Sequence, residues 1–152
     1  MNKSERIVKF TFWTNNLMSI LIGMIMFLTF TMNGWFPIRQ ITIDALAIIA
    51  VFVLVVQIYY LRVKMNIPFS KWNNIYYFTE DERDENNANR VNSILAGQDY
   101  QFWMYIIGII PVLMYGFYGS ALLMMRSLII LFSVGTISIN IRYKSLWNKM
   151  NS

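Results

Sequence analysis

The chain contains no cysteine and no histidine. The first absence removes disulfides and thiolate chemistry, and the second removes the side chain most used as a general base, zinc ligand or haem ligand. Charge is also scarce: Asp, Glu, Lys and Arg make up 14% of the 152 residues, against 57% hydrophobic and 16% aromatic. An ordinary soluble domain of this length carries more charge and less apolar surface than that. No cofactor is expected. Intramembrane enzymes need a nucleophile with a base, a metal cluster or paired carboxylates, so catalysis is not expected either.

What is present is apolar sequence in discrete blocks. The mean hydropathy of +0.43 comes from four stretches of about 20 residues, each long enough to cross a hydrocarbon core roughly 30 Å thick as a helix. The expected fold is therefore all-α, an integral membrane bundle in a single domain, with spans at about 10–32, 41–61, 100–118 and 120–141. Lys3, Arg6 and Lys9 ahead of the first block resemble the start of a signal peptide. The apolar run is too long for one, and no small-residue cleavage site follows, so it reads as an uncleaved anchor. Asn33-Gly34-Trp35-Phe36-Pro37 is the first turn and Gly116-Phe117-Tyr118-Gly119-Ser120 the second, while Pro111 in mid-span is expected to kink the third helix.

Basic residues set the orientation, because Lys and Arg near span ends are retained on the cytoplasmic side. Lys3, Arg6 and Lys9, then Arg62, Lys64, Lys71, Arg83 and Arg90, then Arg142, Lys144 and Lys149 all fall on one side; only Arg39 and Arg126 fall on the other. Both termini and the segment 62–98 are expected in the cytoplasm of a cell whose abundance of Asn, Ile, Lys and Tyr suggests an AT-rich bacterial genome. A formal net charge of +5 would point a soluble chain toward nucleic acid. Here the cations cap apolar blocks, so the lipid bilayer is the expected partner and nucleic acid is not.

The segment 62–98 has two parts. Phe69, Trp72, Ile75 and Tyr76 recur at helical spacing, as in an amphipathic helix lying on the inner leaflet. Thr79 and Glu82 then form a capping box, and Glu80, Asp81 and Glu82 occupy a first helical turn, where the dipole favours acids. This helix is expected to continue through Arg90, Val91, Ile94 and Leu95 to a stop or hinge at Gly97. A calcium loop needs a central glycine and alternating ligands. Asp81-Glu82-Arg83-Asp84-Glu85-Asn86 has neither, so Glu80, Asp81, Glu82, Arg83, Asp84 and Glu85 are read as a cytoplasmic docking surface and not as a metal site.

Asp81-Glu82-Arg83 ahead of a two-span hairpin resembles small uncharacterised multi-pass membrane proteins of Gram-positive bacteria that carry a D-E-R triplet in that place. The resemblance covers the second half of the chain and implies membrane residence without an activity. Those proteins follow the triplet with a basic amphipathic stretch, where this chain continues Asp84-Glu85-Asn86-Asn87. Within the chain, Ser4-Glu5-Arg6 before Phe12-Trp13 parallels Asp81-Glu82-Arg83 before Phe102-Trp103. A duplication would relate the hairpins as parallel repeats about an axis along the membrane normal; helical hairpins in general also carry aromatics and basic residues at their ends.

Polar residues inside the spans are the remaining candidates. Asp44 and Arg126 lie near the outer ends of spans two and four and either reach the interface or pair across the bundle. Arg126, Ser133 and Asn140 are seven apart on one helical face, and Asn15, Asn16, Gln57 and Asn140 should share a depth near the inner leaflet. Interhelical hydrogen bonds among them would act as packing contacts; a substrate path is the alternative. The expected function is that of a non-enzymatic accessory, immunity or regulatory protein that contacts another membrane protein, a membrane-active peptide or a second copy of itself. A small transporter or channel subunit is the runner-up.

Overall fold

The computed structural model describes residues 3–31, 36–67 and 82–151, and among them every regular element is helical. Five α-helices occur: α1 (Lys3–Thr31), α2 (Phe36–Tyr59), α3 (Glu82–Ile94), α4 (Tyr100–Tyr118) and α5 (Ala121–Asn151). A π-helical turn, Tyr60–Lys64, prolongs α2, and another, Leu95–Asp99, joins α3 to α4. Four of the resulting rods are long and apolar enough to cross a membrane: Lys3–Phe30, Ile38–Lys64, Glu85–Tyr118 and Ala121–Met150.

The helices overrun the expected spans at one end. Helix α1 begins at Lys3, well before the apolar block, because its basic stretch is amphipathic. Ser4, Ile7, Val8, Thr11 and Phe12 are buried at spacings of three and four, while Arg6 and Lys9 stay exposed. Helix α5 likewise runs past residue 141 to Asn151, burying Ile139, Tyr143 and Trp147 four apart. With Ala88, Val91 and Leu95 from the α3 side, these residues and Val8 form the main apolar core. A satellite core of Ile7, Met65 and Ile67 adjoins it. Its shape depends on Asn66, whose φ of 54° turns the chain back after α2; asparagine tolerates this left-handed conformation. Met65 N–H then donates to Tyr60 O at 3.0 Å and Ile67 N–H to Leu61 O at 3.1 Å.

Of the stop or hinge expected at Gly97, the stop is not made. Helix passes through Gly97 in the π-turn, and Tyr100 follows without a break. The extra residue in that turn re-aims the face of α4 relative to that of α3. At the opposite end, α4 persists to Tyr118, so the second turn is only Gly119-Ser120 and not the five residues expected. Gly119, at φ 61°, donates its N–H to Tyr115 O at 2.7 Å as a left-handed C-terminal cap. Ser120 Oγ accepts from Leu123 N–H at 3.3 Å and so caps α5. Pro111 is buried within α4, which continues past it. The aromatic-rich segment from residue 68 onward, with Thr79, Glu80 and Asp81, lies outside the described residues.

Packing fixes a lateral order. The main contacts are α1 with α5, α4 with α5 and α1 with α2. The helices thus run α2, α1, α5, α4 across the bundle, with the first and last in the middle. Burial agrees: the apolar window of α1 is 28% buried and that of α5 17%, against 0% for α2 and 6% for α4. This order does not reproduce the parallel-repeat symmetry suggested by the sequence. Such an axis exchanges α1 with α4 and α2 with α5, so the α1–α5 contact would need an α2–α4 counterpart. Among the described residues α2 and α4 make no comparable contact.

Candidate functional site

The site starts from two consecutive asparagines on the central helix α1. Successive helical residues point about 100° apart, so Asn15 and Asn16 serve different neighbours. Asn15 Oδ1 accepts from Gln57 Nε2 of α2 at 3.2 Å. Asn16 Oδ1 accepts from Asn140 Nδ2 of α5 at 3.2 Å, and both of these residues are buried. One turn of α1 is thereby tied to the helix on either side. Seven residues further along α1, Gly23 sits against Ser133 of α5, which is itself seven residues before Asn140. The two central helices therefore run antiparallel in a matched register.

Close approach at Gly23 has a simple cause. A Cβ there would overlap Ser133 Oγ and lie 3.2 Å from Ser133 Cβ, so only hydrogen fits. Ser133 cannot turn aside freely, because its hydroxyl donates to Ile129 O at 2.9 Å. On the other side of α5, Gly135 receives the Trp103 ring of α4, whose nearest atoms would be 3.1 Å from an added Cβ. Small residues two positions apart thus let α5 approach both neighbours, as membrane helix interfaces do without a hydrophobic drive of their own.

Other hydroxyls of these helices bond within their own helix. Thr14 donates to Phe10 O and Thr11 O, Ser19 to Asn15 O, and Thr136 to Phe132 O and Ser133 O. Toward the basic end, aromatic contacts take over. Phe10 stacks on Tyr60 with ring centroids 3.8 Å apart, joining α1 to the end of α2. Lys144 Nζ of α5 lies 4.2 Å from the centre of the Phe12 ring on α1, a cation–π contact. Arg142 approaches Asp99 of the π-turn at 3.8 Å, a partly exposed ion pair of small energetic weight.

Of the two charges expected within the spans, Asp44 is exposed and accepts from Gln40 Nε2 of its own helix at 2.9 Å. The cross-bundle pairing with Arg126 is not made: α2 and α5 are separated by α1 in the lateral order, and the carboxylate engages α2 itself. Arg126 is partly buried near the start of α5. Among the proposed docking residues, Arg83 and Glu85 are exposed on α3, which Glu82 begins and in which Asp84 lies. Glu80 and Asp81 precede the described part. The same helix buries Ala88 and Val91 in the main core, so the described part of this segment, from Glu82 on, is also a structural element. Among the described residues no three His, Cys, Asp or Glu side chains are grouped to hold a metal.

Sequence reasoning missed the core at the basic end, above all Tyr143 and Trp147. The signal was available in the spacing of Ile139, Tyr143 and Trp147, but Arg142, Lys144 and Lys149 lower the hydropathy there. Comparison with protein-family models, curated proteins and solved structures gives no match for this chain.

Proposed function

We propose that the chain is a small multi-pass protein of a bacterial plasma membrane, with both termini in the cytoplasm, acting as a non-enzymatic accessory, immunity or regulatory protein. Its partners would be the bilayer and another membrane protein, a membrane-active peptide or a second copy. The observation that carries this reading is the use of the polar groups: Asn15, Asn16, Gln57 and Asn140 bond to one another and hold the helices together. This leaves the flanking helix α2 to present an apolar surface, with Ile41, Ile48 and Phe52 each at least 66% exposed. Such a surface suits lateral contact with lipid and with another apolar helix.

Orientation rests on the basic residues, which cluster at the end holding both cores. At about 1.5 Å per residue, the 31 residues of α5 extend some 46 Å, well beyond a roughly 30 Å hydrocarbon core. The surplus at the basic end would form a small helical head in the cytoplasm, offering Arg83 and Glu85 for docking. A photo-crosslinking residue at Ile48 or Phe52 in native membranes should give a discrete protein adduct. Lipid adducts alone, together with ion or solute flux through liposomes of purified protein, would replace this reading with the small transporter or channel subunit.

A further inference from the structure

Arg6, Lys9 and Trp13 lie on the side of α1 turned away from the main core. The core side buries Ser4, Val8 and Thr11, whereas these three are exposed, Trp13 by 62%. Their spacings of three and four make them neighbours along one helical face, each Cβ about 5 to 6 Å from the next. Helix α5 adds a fourth member. Lys144 Nζ lies 4.2 Å from the centre of the buried Phe12 ring and 5.9 Å from that of Trp13, so three cations from two helices gather around one exposed indole.

These cations keep their charge available. Among the described residues neither Arg6 nor Lys9 has an ion-pair partner. The contacts of Lys144 are with uncharged ring faces, which leave ammonium N–H groups for an anion. Glu5, one turn before Lys9, is the acid on this part of α1, so cations remain in excess. Other basic residues at this end serve other neighbours: Arg142 approaches Asp99, and Lys64 lies 5.7 Å from the centre of the Tyr60 ring. Beyond Trp13 the same face of α1 turns apolar, with Leu17, Ile20 and Met24 exposed at spacings of three and four. From Trp13 to Met24 is about 16 Å of helix, close to the hydrocarbon of one leaflet, about 15 Å if the whole core is about 30 Å. Cations, indole and apolar stripe thus follow one another as phosphate, glycerol and acyl chain do in a phospholipid. An acidic protein segment would match only the first of these.

We infer that this patch binds an anionic phospholipid, with Lys9 and Lys144 on either side of its phosphate and an acyl chain along Leu17, Ile20 and Met24. Arg6 adds attraction one turn farther out. Lys144 is already positioned by Phe12 and Trp13, so less side-chain freedom is lost on binding. Trp13 takes the interfacial place that indole rings favour. The occupant is a lipid of the leaflet at the basic end, which is the cytoplasmic leaflet on the reading proposed above.

The inference rests on membrane residence of the four helices, which carbonate extraction of membranes tests on its own. A chain that carbonate extracts refutes that reading; a chain that resists extraction but shows no lipid preference refutes the inference alone. For the site itself, the full chain is reconstituted in vesicles of equal phosphatidylglycerol and phosphatidylcholine, released in mild detergent and weighed by native mass spectrometry. Each cation near an anionic headgroup is worth about fivefold, so the wild type should retain phosphatidylglycerol at least about tenfold over phosphatidylcholine. Lys9→Gln, at an exposed position where the fold is not at stake, should lower that preference about fivefold. Lys9→Gln with Lys144→Gln should bring it near unity, and the matching pair of Arg substitutions should keep most of it. Lys64→Gln with Arg83→Gln removes the same charge from outside the patch and should leave the preference unchanged. A control pair that lowers the preference as much as the patch pair means diffuse attraction and overturns the inference. So does equal retention of the two lipids by the wild type, or displacement of bound lipid by excess inorganic phosphate, which would show that a free anion suffices.

Discussion

Replacing Gly23 by alanine is the sharpest perturbation of the central helix pair. The added methyl meets Ser133 Oγ within contact distance and Ser133 Cβ at 3.2 Å. Relief by rotating Ser133 breaks its bond to Ile129 O, at about 0.5 to 1.5 kcal/mol. Separating α1 from α5 instead stretches the Asn16–Asn140 bond two turns away. Overpacking of a fitted contact costs about 1 to 3 kcal/mol, and alanine regains up to about 1 kcal/mol of helix propensity. The net expectation is a loss of about 1 to 2 kcal/mol after these terms are combined. Gly108→Ala in α4 is the control, since nothing lies within 4 Å of its added Cβ; it should be neutral or slightly stabilising. Adding Ser133→Gly to Gly23→Ala removes both obstructing atoms, so the double variant should be more stable than the sum of the singles predicts. Unfolding in mixed micelles, followed by tryptophan fluorescence, measures all four proteins. If Gly23→Ala is as stable as Gly108→Ala, the close α1–α5 approach is wrong.

The polar contacts can be apportioned by double-mutant cycles with leucine: Asn16 with Asn140, and Asn15 with Gln57, should each couple by about 0.5 to 1.7 kcal/mol, whereas Asn15 with Asn140 should not couple. In the core at the basic end, Trp147→Ala should cost about 3 to 5 kcal/mol of unfolding free energy. Trp147→Phe should cost much less, because the indole N–H has no acceptor among the described residues; equal losses would contradict the packing role. Arg83→Gln and Glu85→Gln should leave stability within about 0.5 kcal/mol, in contrast to Val91→Asp, as read from melting curves. A single cysteine at Asn86 should react with an impermeant maleimide only after cells are permeabilised, and labelling of intact cells would reverse the orientation.

Different parts of this architecture left different traces in the sequence. Four apolar helices follow from hydropathy alone, because each block is uniformly apolar over a bilayer thickness. The true starts and ends do not, since Lys3, Arg6 and Lys9 mask the buried stripe of Ile7, Val8 and Phe12 in any window average. Asn15, Asn16, Gln57 and Asn140 could be placed at one depth by counting along the spans. Which of them meet depends on the lateral order α2, α1, α5, α4, and that order is set by fits such as Gly23 on Ser133 and Gly135 under Trp103. A fit between distant small and large residues has no local signature. The left-handed Asn66 and the π-turn through Gly97 are equally silent, because Asn and Gly are common in many other conformations.

Having the first and last helices at the centre also has a consequence in time. Asn16 and Asn140 are 124 residues apart, an interval of about 6 to 25 s at a synthesis rate of roughly 5 to 20 residues per second. During it, α1 can pair with α2 through Asn15 and Gln57, while the face bearing Asn16 and Gly23 waits for a helix not yet made. The bundle has no middle until α5 has been made. A nascent or truncated form lacking α5 therefore offers other apolar helices an open amide and an open notch, and α5 is the helix that closes them.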